Sequence, residues 1–266
     1  MSSFEQRFSG TARIYGALAL SSYREAHVCV VGIGGVGSWV AEALARSGIG
    51  EITLIDADDL CVTNTNRQIH ALEDTVGKMK TQVMADRIHQ INPECLVHCE
   101  SVFISQENVQ ELLSASMDYV VDAIDSVNDK AALIASCKRS KIPVIMIGGA
   151  GGQWDPTCID TADLARTVND PLAAKVRSKL RREYGFSRSG KRFSVECVYS
   201  TEQLKYPQED GSIDTAKTRS AEGGLDCETG VGAASVVTST CAMVAASKVL
   251  LKIKAKAEAG TEVLAQ

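Results

Sequence analysis

The chain has 266 residues, is 45% hydrophobic and carries a net charge of −5 at pH 7. This length and composition predict one large α/β domain, and the charge argues against a uniformly basic, nucleic-acid-coating protein. The N-terminal residues lack the long apolar stretch of a secretory signal, and the nine cysteines form no CxxC pair. We therefore expect a cytoplasmic protein without a disulfide framework and without a zinc site.

The first 26 residues are predicted to form an arm and a helix that expose Arg7 and Arg13. A glycine-rich loop then follows the first strand, since the apolar run 28–31 leads into GIGGVG at residues 32–37 and a small-residue helix. Glycines allow the backbone to approach phosphates closely, and the helix N-terminus offers N–H groups to an anion. Asp56 ends a second strand 19 residues after Gly37, where a ribose-binding carboxylate is expected. The segment predicts a nucleotide site.

Polar and basic residues follow at the carboxyl edge of the predicted sheet. The Asn-rich run 58–68, which includes Arg67, is typical of a loop, and the helix predicted over 77–92 carries Lys78 and Lys80 in its first turn. Cations are unfavourable at a helix N-terminus unless an anion lies near, so these lysines indicate a phosphate. A dinucleotide-dependent oxidoreductase is the alternative, but a triphosphate uses the positive charge of Arg67 and Lys80 better.

Two carboxylates, Asp122 and Asp125, end the next predicted strand, 118–123. Oxygen donors beside a phosphate loop are suitable Mg²⁺ ligands, and helix capping is their alternative role. A helix over 130–139 and a strand over 143–147 follow. They lead into the glycine run 148–152, which allows close approach of a ligand or of another strand.

A basic stretch at residues 175–192 contains eight Lys or Arg residues, with Tyr184 and Phe186 between them. Such a pattern is typical of contacts with a phosphate backbone and stacked bases, although a solvated helix face gives the same pattern. The candidate RNA-binding residues are Lys175, Arg177, Lys179, Arg181, Arg182, Arg188, Lys191 and Arg192.

The polar run 208–224 predicts a mobile loop, and Cys227 follows it just before a Gly-rich helix start. A lowered thiol pKa at that position would make Cys227 a nucleophile, and a small core residue is the alternative. The apolar run 231–251 approaches the length of a membrane span. Its many Gly, Ala, Ser and Thr residues and its Lys248 favour a core helix instead.

These motifs resemble the ubiquitin-activating-enzyme-like adenylating family. GIGGVGS at 32–38, Asp56 with Asp58, TNTNRQ at 63–68, VGKMK at 76–80 and DAID at 122–125 follow the family's order. The resemblance implies a Rossmann-like, doubly wound, mainly parallel sheet over residues 27–152 with helices on both faces, and an irregular C-terminal part over 153–266 within one continuous domain. It also implies ATP and Mg²⁺, with Asp56 on the ribose, Asp125 on the metal and Arg13 reaching the site of a partner subunit in a homodimer. The remaining implied ATP-binding residues are Gly32, Gly34, Gly35, Gly37, Asp58, Asn64, Arg67, Gln68 and Lys80, and the candidate catalytic residues are Arg67, Lys80, Asp125 and Cys227.

The second half resembles the branch of this family that acts on threonylcarbamoyladenosine in tRNA. INPEC at 91–95, IGGAGGQWDPT at 147–157, DPLAAKVRSKLR at 170–181 and LDCETGVGAAS at 225–235 carry the likeness, and the CxxC zinc pairs of the sulfur-carrier branch are missing. The implied reaction is ATP-dependent dehydration of the modified adenosine beside the anticodon, through adenylyl or phosphoryl activation of its carboxylate. The alternative is adenylation of the C-terminus of a small sulfur-carrier or ubiquitin-like protein. The likeness leaves open a monovalent cation and a cysteine-desulfurase or sulfur-acceptor partner.

Overall fold

The computed structural model describes residues 2–216 and 231–264, with side chains as far as Thr261. Cys227 and the end of the predicted polar loop lie outside the described residues. In the described part of the chain the helices are α1 Ser3–Arg7, α2 Ser9–Tyr15, α3 Ala17–Glu25, α4 Gly37–Ser47, α5 Lys80–Ile91, α6 Val109–Leu112, α7 Val127–Ser140, α8 Pro171–Glu183 and α9 Ser235–Leu264. The strands are β1 His27–Val31, β2 Glu51–Ile55, β3 Leu96–Glu100, β4 Tyr119–Asp122, β5 Val144–Ile147, β6 Ile159–Asp163, β7 Glu196–Ser200, β8 Tyr206–Pro207 and β9 Ile213–Asp214.

Seven strands form one sheet in the order β3-β2-β1-β4-β5-β7-β6, and β6 is its antiparallel member. The chain fills one side of β1 with β2 and β3 and then crosses to β4, so the strand order reverses between β1 and β4. Val31 pairs with Ile55 of β2 and with Asp122 of β4, which brings the ends of these three strands together. Ligands of doubly wound sheets bind at such a reversal point. The predicted Rossmann-like fold is therefore confirmed.

The apolar core covers both faces of the sheet. In β1, Val28 and Val30 face the layer that contains α3, α4, α5 and α9, whereas Cys29 and Val31 face the layer that contains α6, α7 and α8. Successive side chains of a strand point to opposite faces, so a strand buried on both sides is apolar throughout. This explains the continuous apolar run at residues 28–31.

Helix α9 corresponds to the apolar run 231–251. By length and composition Ser235–Thr261 would suffice to cross a membrane, but half of its apolar window is buried inside the protein. Val237, Cys241 and Val249 belong to the core cluster shared with α3 and α4, and the Tyr23 hydroxyl donates to the Leu250 carbonyl at 3.1 Å. The helix thus packs as a core helix of this domain.

The helix predicted over 77–92 begins three residues later, at Lys80. Gly77 adopts φ +82° in a turn, and the extended Met79 forms an antiparallel bridge with Asp59, so residues 77–79 are not helical. The prediction that Lys78 lies in the first helical turn is wrong.

Two other segments are more regular than the sequence indicates. The N-terminal arm consists of the short helices α1 and α2 before α3, and the predicted polar loop begins with the turn and the second strand of the hairpin β8–β9, which turns through Gly211 at φ +81°. After residue 153, β6 and β7 extend the main sheet, so the C-terminal part is less irregular than predicted.

Candidate nucleotide and RNA site

The glycine loop is packed too tightly for side chains at two of its positions. A Cβ atom on Gly37 would lie 1.7 Å from the Gly32 carbonyl oxygen. Gly32 has φ +85°, and a Cβ atom there would lie 2.9 Å from the Ala123 carbonyl oxygen at the end of β4. The loop therefore fits closely between β1 and β4 and directs the N-terminus of α4 to the reversal point, as a phosphate site requires.

Asp56 connects the glycine loop to the loop after β2. It is 8% exposed, and its carboxylate accepts the N–H groups of Ile33 at 2.6 Å and of Asp58 at 2.9 Å. Burial raises the pKa of Asp56, and the charge of Lys80 and the two N–H donors oppose part of this rise. The predicted ribose contact would use the remaining lone pairs of the carboxylate.

Arg67 lies directly against the glycine loop. A Cβ atom on Gly35 would be 3.1 Å from its Cγ and Cδ atoms, so the arginine stem follows the loop backbone. The indole N–H of Trp39 donates to the Arg67 carbonyl at 2.9 Å, and the Arg67 guanidinium donates to the side chain of Asn66 at 2.9 Å. The sequence prediction did not include Trp39. Its side chain, on α4, holds the backbone of the loop that contains Arg67.

Lys80 is buried and already has an anionic neighbour in the protein. Its ammonium donates to Asp58 Oδ2 at 2.6 Å, and its backbone N–H donates to the Asp58 carbonyl at 3.0 Å. The Asp58 side chain is half-exposed, whereas that of Lys80 is 7% exposed. The sequence predicts an anion near Lys80 at this helix N-terminus, and the carboxylate of Asp58 is such an anion.

Three polar side chains of the loop after β2, Asn64, Gln68 and His70, are buried. Asn64 caps a short 3₁₀ turn, where its side-chain oxygen accepts the Cys61 N–H at 3.0 Å. Among the described residues, Gln68 Oε1 and both ring nitrogens of His70 are buried without a hydrogen-bond partner. Burial and the neighbouring charges of Lys80 and Arg87 lower the pKa of His70 to about 4. The orphaned oxygen of Gln68, close to Gly34, is compatible with a bound ligand at the loop.

The two carboxylates after β4 have different environments. Asp122 is fully buried and accepts the Lys130 ammonium at 2.8 Å, and Lys130 also donates to the Ile124 carbonyl at 2.8 Å. Burial raises the pKa of Asp122 to about 6, although the Lys130 ammonium opposes that rise. Lys130 pairs with Asp122 Oδ1, and Oδ2 is buried without a hydrogen-bond partner among the described residues, so the carboxylate has no exposed oxygen for the predicted Mg²⁺ contact. Asp125 is exposed at the same edge of the sheet.

The glycine run after β5 lies close to another part of the chain, the Asp170 side chain at the start of α8. A Cβ atom on Gly148 would lie 1.8 Å from Asp170 Oδ2, and the same oxygen accepts the Gly149 N–H at 3.0 Å. Asp170 also caps α8 by accepting the Ala173 N–H at 2.8 Å. The Asp-Pro pair that opens α8 is the sequence signal that would have identified this residue.

The basic stretch runs along α8 and the loop that leads to β7. Two of its arginines have internal partners. Arg177 donates to the Leu164 and Thr167 carbonyls and to Thr167 Oγ1 at 2.6 Å, and Arg181 donates to the Ser187 carbonyl and stacks over Phe193.

The remaining basic residues of this stretch lie nearer to solvent. Lys179 and Arg182 pair with Glu183, Arg192 lies 3.8 Å from Asp163, and Lys175, Arg188, Lys191 and Arg192 are exposed. Tyr184 and Phe186 are partly buried and pack against the core, and base stacking by their remaining surface stays a prediction.

Arg13 lies on the exposed face of α2, next to Ile14, whose side chain is 80% exposed.

No group of three or more His, Cys, Asp or Glu side chains arranged to hold a metal ion occurs within residues 2–216 and 231–261. The exposed carboxylate of Asp125 fits a Mg²⁺ ion that is bound mainly by substrate phosphates and water.

Known proteins share this architecture. Residues 9–264 match the model of the ThiF family. The chain is 58% identical to the tRNA threonylcarbamoyladenosine dehydratase of Escherichia coli (strain K12), over 96% of each chain. It is 54% identical to the enzyme of the same name from Haemophilus influenzae (strain ATCC 51907 / DSM 11121 / KW20 / Rd), over 95% of each chain. A solved structure of E. coli tRNA N6-threonylcarbamoyladenosine dehydratase in complex with ATP superposes with a TM-score of 0.87 at 54% identity and covers 97% of this chain and 98% of that one. With this match to the family model and this identity over nearly its whole length, this chain belongs to the ThiF family.

Proposed function

We propose that this protein is an ATP-dependent tRNA threonylcarbamoyladenosine dehydratase of the cytoplasm. One observation carries the proposal: the chain is 58% identical over 96% of its length to an enzyme of that name, and its glycine loop, with Arg67 against it, lies at the reversal point of the sheet. The similarity includes the second half, where a substrate-specific surface is expected. Members of one fold differ in function mainly through such surfaces.

The first half supplies the ATP site. The N-terminus of α4 and the glycine loop bind the phosphates, Asp56 binds the ribose, and Asn64 and Gln68 line the site. Arg67 and Lys80 stabilise the negative charge that develops on the leaving phosphate group. Asp125 holds Mg²⁺, which supplies further charge stabilisation when it is bound.

The reaction needs activation followed by ring closure. A carboxylate oxygen of the substrate attacks Pα of ATP and releases pyrophosphate, or attacks Pγ and releases ADP. The carbamoyl nitrogen of the same nucleoside then bonds to the activated carbonyl carbon, loses its proton to solvent and displaces AMP or phosphate. The nucleoside thereby loses one water. Because this attack is intramolecular, proximity replaces a protein nucleophile, and Cys227 is not required.

The second half supplies the tRNA surface. Lys175, Arg188, Lys191 and Arg192 are exposed and near one another along the chain, and Lys179 and Arg182 lie on the same helix. Contacts between such side chains and phosphates position an RNA without reading its sequence. Arg177 and Arg181 support this surface through their internal contacts.

A homodimer completes the ATP site. Arg13 is carried by a short helix whose neighbouring side chains Ile14 and Leu18 are 80% and 46% exposed. Exposed apolar side chains beside a cation are suited to an interface with a second copy of the chain. In this proposal Arg13 reaches the phosphates in the partner subunit's site.

Nucleoside mass spectrometry tests the function. Incubation with ATP and tRNA that contains threonylcarbamoyladenosine should yield a nucleoside lighter by one water, and the yield should depend on ATP. The second candidate, adenylation of a small carrier protein, rests on the shared adenylating fold. It instead requires pyrophosphate exchange that depends on a carrier with a free C-terminus, and no change in the nucleoside.

A further inference from the structure

Trp154 is an exposed tryptophan on a firmly held segment. Its side chain is 57% exposed, yet its backbone N–H and that of Asp155 both donate to Glu202 Oε2, at 3.0 and 2.9 Å. The Lys205 ammonium lies 3.8 Å from the centroid of the indole ring and also pairs with Glu202. One face of the ring is thus covered by a cation, and the exposure leaves the other face to solvent.

The segment that carries Trp154 is connected to the Arg67 loop, residues 63–68, through one side-chain hydrogen bond and a series of backbone contacts. The Asn66 amide donates to the Ala233 carbonyl at 2.8 Å, and Ala233 forms an antiparallel bridge with Gly151. Gly152, at φ +71°, approaches Lys205 so closely that a Cβ atom would lie 2.9 Å from the Lys205 carbonyl oxygen. Lys205 in turn donates its N–H to Gly152 at 2.9 Å. The indole is therefore held in a fixed relation to the Arg67 loop.

We propose that Trp154, backed by Lys205, is a stacking platform for an unpaired base of the anticodon loop that flanks the modified adenosine. The inference rests on the proposed function and adds a base-binding residue to it. Unpaired RNA bases stack on aromatic side chains, and this contact tolerates any base because each one has a π face. The Lys205 charge is paired with Glu202, which favours stacking over a purely ionic contact with phosphate.

The position of Trp154 supports a base rather than the core or ATP as its partner. A core residue would not leave more than half of its indole in solvent. The segment also follows β5, whereas the proposed ATP and Mg²⁺ contacts follow β1, β2 and β4. If Trp154 stacked on the adenine of ATP, Trp154→Ala would raise the KM for ATP. If Trp154 stacks on RNA, the KM for ATP stays unchanged and RNA binding weakens.

The test compares Trp154→Ala and Trp154→Phe with Phe103→Ala. Phe103 is a matched control because it is 65% exposed and lies at the far side of the sheet, after β3. The probe is an anticodon stem-loop that carries threonylcarbamoyladenosine. We expect Trp154→Ala to weaken RNA binding about 10-fold, Trp154→Phe to stay within about 3-fold of wild type, and Phe103→Ala to bind as wild type. The KM for ATP should remain unchanged in all three.

Tryptophan fluorescence gives an independent readout on the unaltered protein. The chain has two tryptophans, so RNA should quench the emission of the wild type but not that of Trp154→Phe, which retains Trp39. Wild-type RNA affinity in Trp154→Ala, or a rise confined to the KM for ATP, would overturn the inference. If the wild type binds the stem-loop but never dehydrates it, the proposed function fails, while the affinities and quenching still decide the role of Trp154.

Discussion

At the scale of single residues, Arg67 is the side chain on which the proposed chemistry depends most. It lies on the glycine loop but outside the core, so Arg67→Ala should lower kcat/KM at least about 100-fold with little loss of stability. Arg139→Ala is the matched control, because Arg139 is exposed in the last turn of α7, at the opposite edge of the sheet. Steady-state kinetics and thermal unfolding of both variants check this prediction. Unchanged turnover in Arg67→Ala would refute the role.

His70 gives the fold a dependence on pH. Its pKa is about 4 in the folded protein, against about 6.5 for an unfolded chain, because burial and nearby cations disfavour its charged form. The unfolded state therefore takes up a proton first, and the free energy of unfolding falls as the pH decreases from about 6.5 toward 4. Between pH 7 and pH 5 the free energy of unfolding of the wild type should therefore decrease by about 1–2 kcal/mol more than that of His70→Leu.

Urea unfolding at the two pH values measures this effect. His89→Leu, at an exposed position of α5, should retain the wild-type loss. Parallel pH profiles of wild type and His70→Leu would show that another group is responsible.

At the scale of elements, α8 and its following loop contain basic residues of two kinds. Arg188 is exposed, so Arg188→Ala should leave stability unchanged, weaken tRNA binding and reduce the salt slope of log K by about 0.7–0.9. Arg177 has internal acceptors, so Arg177→Ala should reduce the free energy of unfolding by about 1–3 kcal/mol. Salt titrations of tRNA binding and urea unfolding separate the two. If Arg177→Ala lost tRNA binding but kept the stability of the wild type, Arg177 would contact tRNA rather than stabilise the fold.

At the scale of the whole molecule, subunit complementation tests the homodimer. If Arg13 acts in the partner subunit's site, a mixed dimer of Arg13→Ala and Arg67→Ala chains has one site with both changes and one intact site. Random exchange of two inactive variants should then restore about a quarter of wild-type activity. The assay mixes the purified variants after reversible dissociation and measures turnover. No recovery in verified mixed dimers would place Arg13 in its own subunit's site.

The sequence predicts the parts of this architecture that depend on local patterns. The glycine loop after β1 is specified by its own residues, since Gly32 needs a positive φ and Gly37 has no room for a Cβ atom. The continuous apolar runs likewise indicate strands that are buried on both faces.

Contacts between distant residues escape such reasoning. Asp122 appeared to be a metal ligand because nothing in its strand reveals Lys130 eight residues later, and Tyr184 and Phe186 face the core only because α8 is packed on α7. The connection from Asn66 to Ala233 joins residues 167 positions apart and required the structure.

The most direct test of the account is the fate of the modified nucleoside itself. Wild-type protein, Arg67→Ala and Arg139→Ala are each incubated with tRNA that contains threonylcarbamoyladenosine, with and without ATP, and the digested nucleosides are analysed by mass spectrometry. The account predicts a nucleoside lighter by one water with wild type and Arg139→Ala, only when ATP is present, and almost none with Arg67→Ala. An unchanged nucleoside after incubation of the wild-type protein with ATP would contradict it.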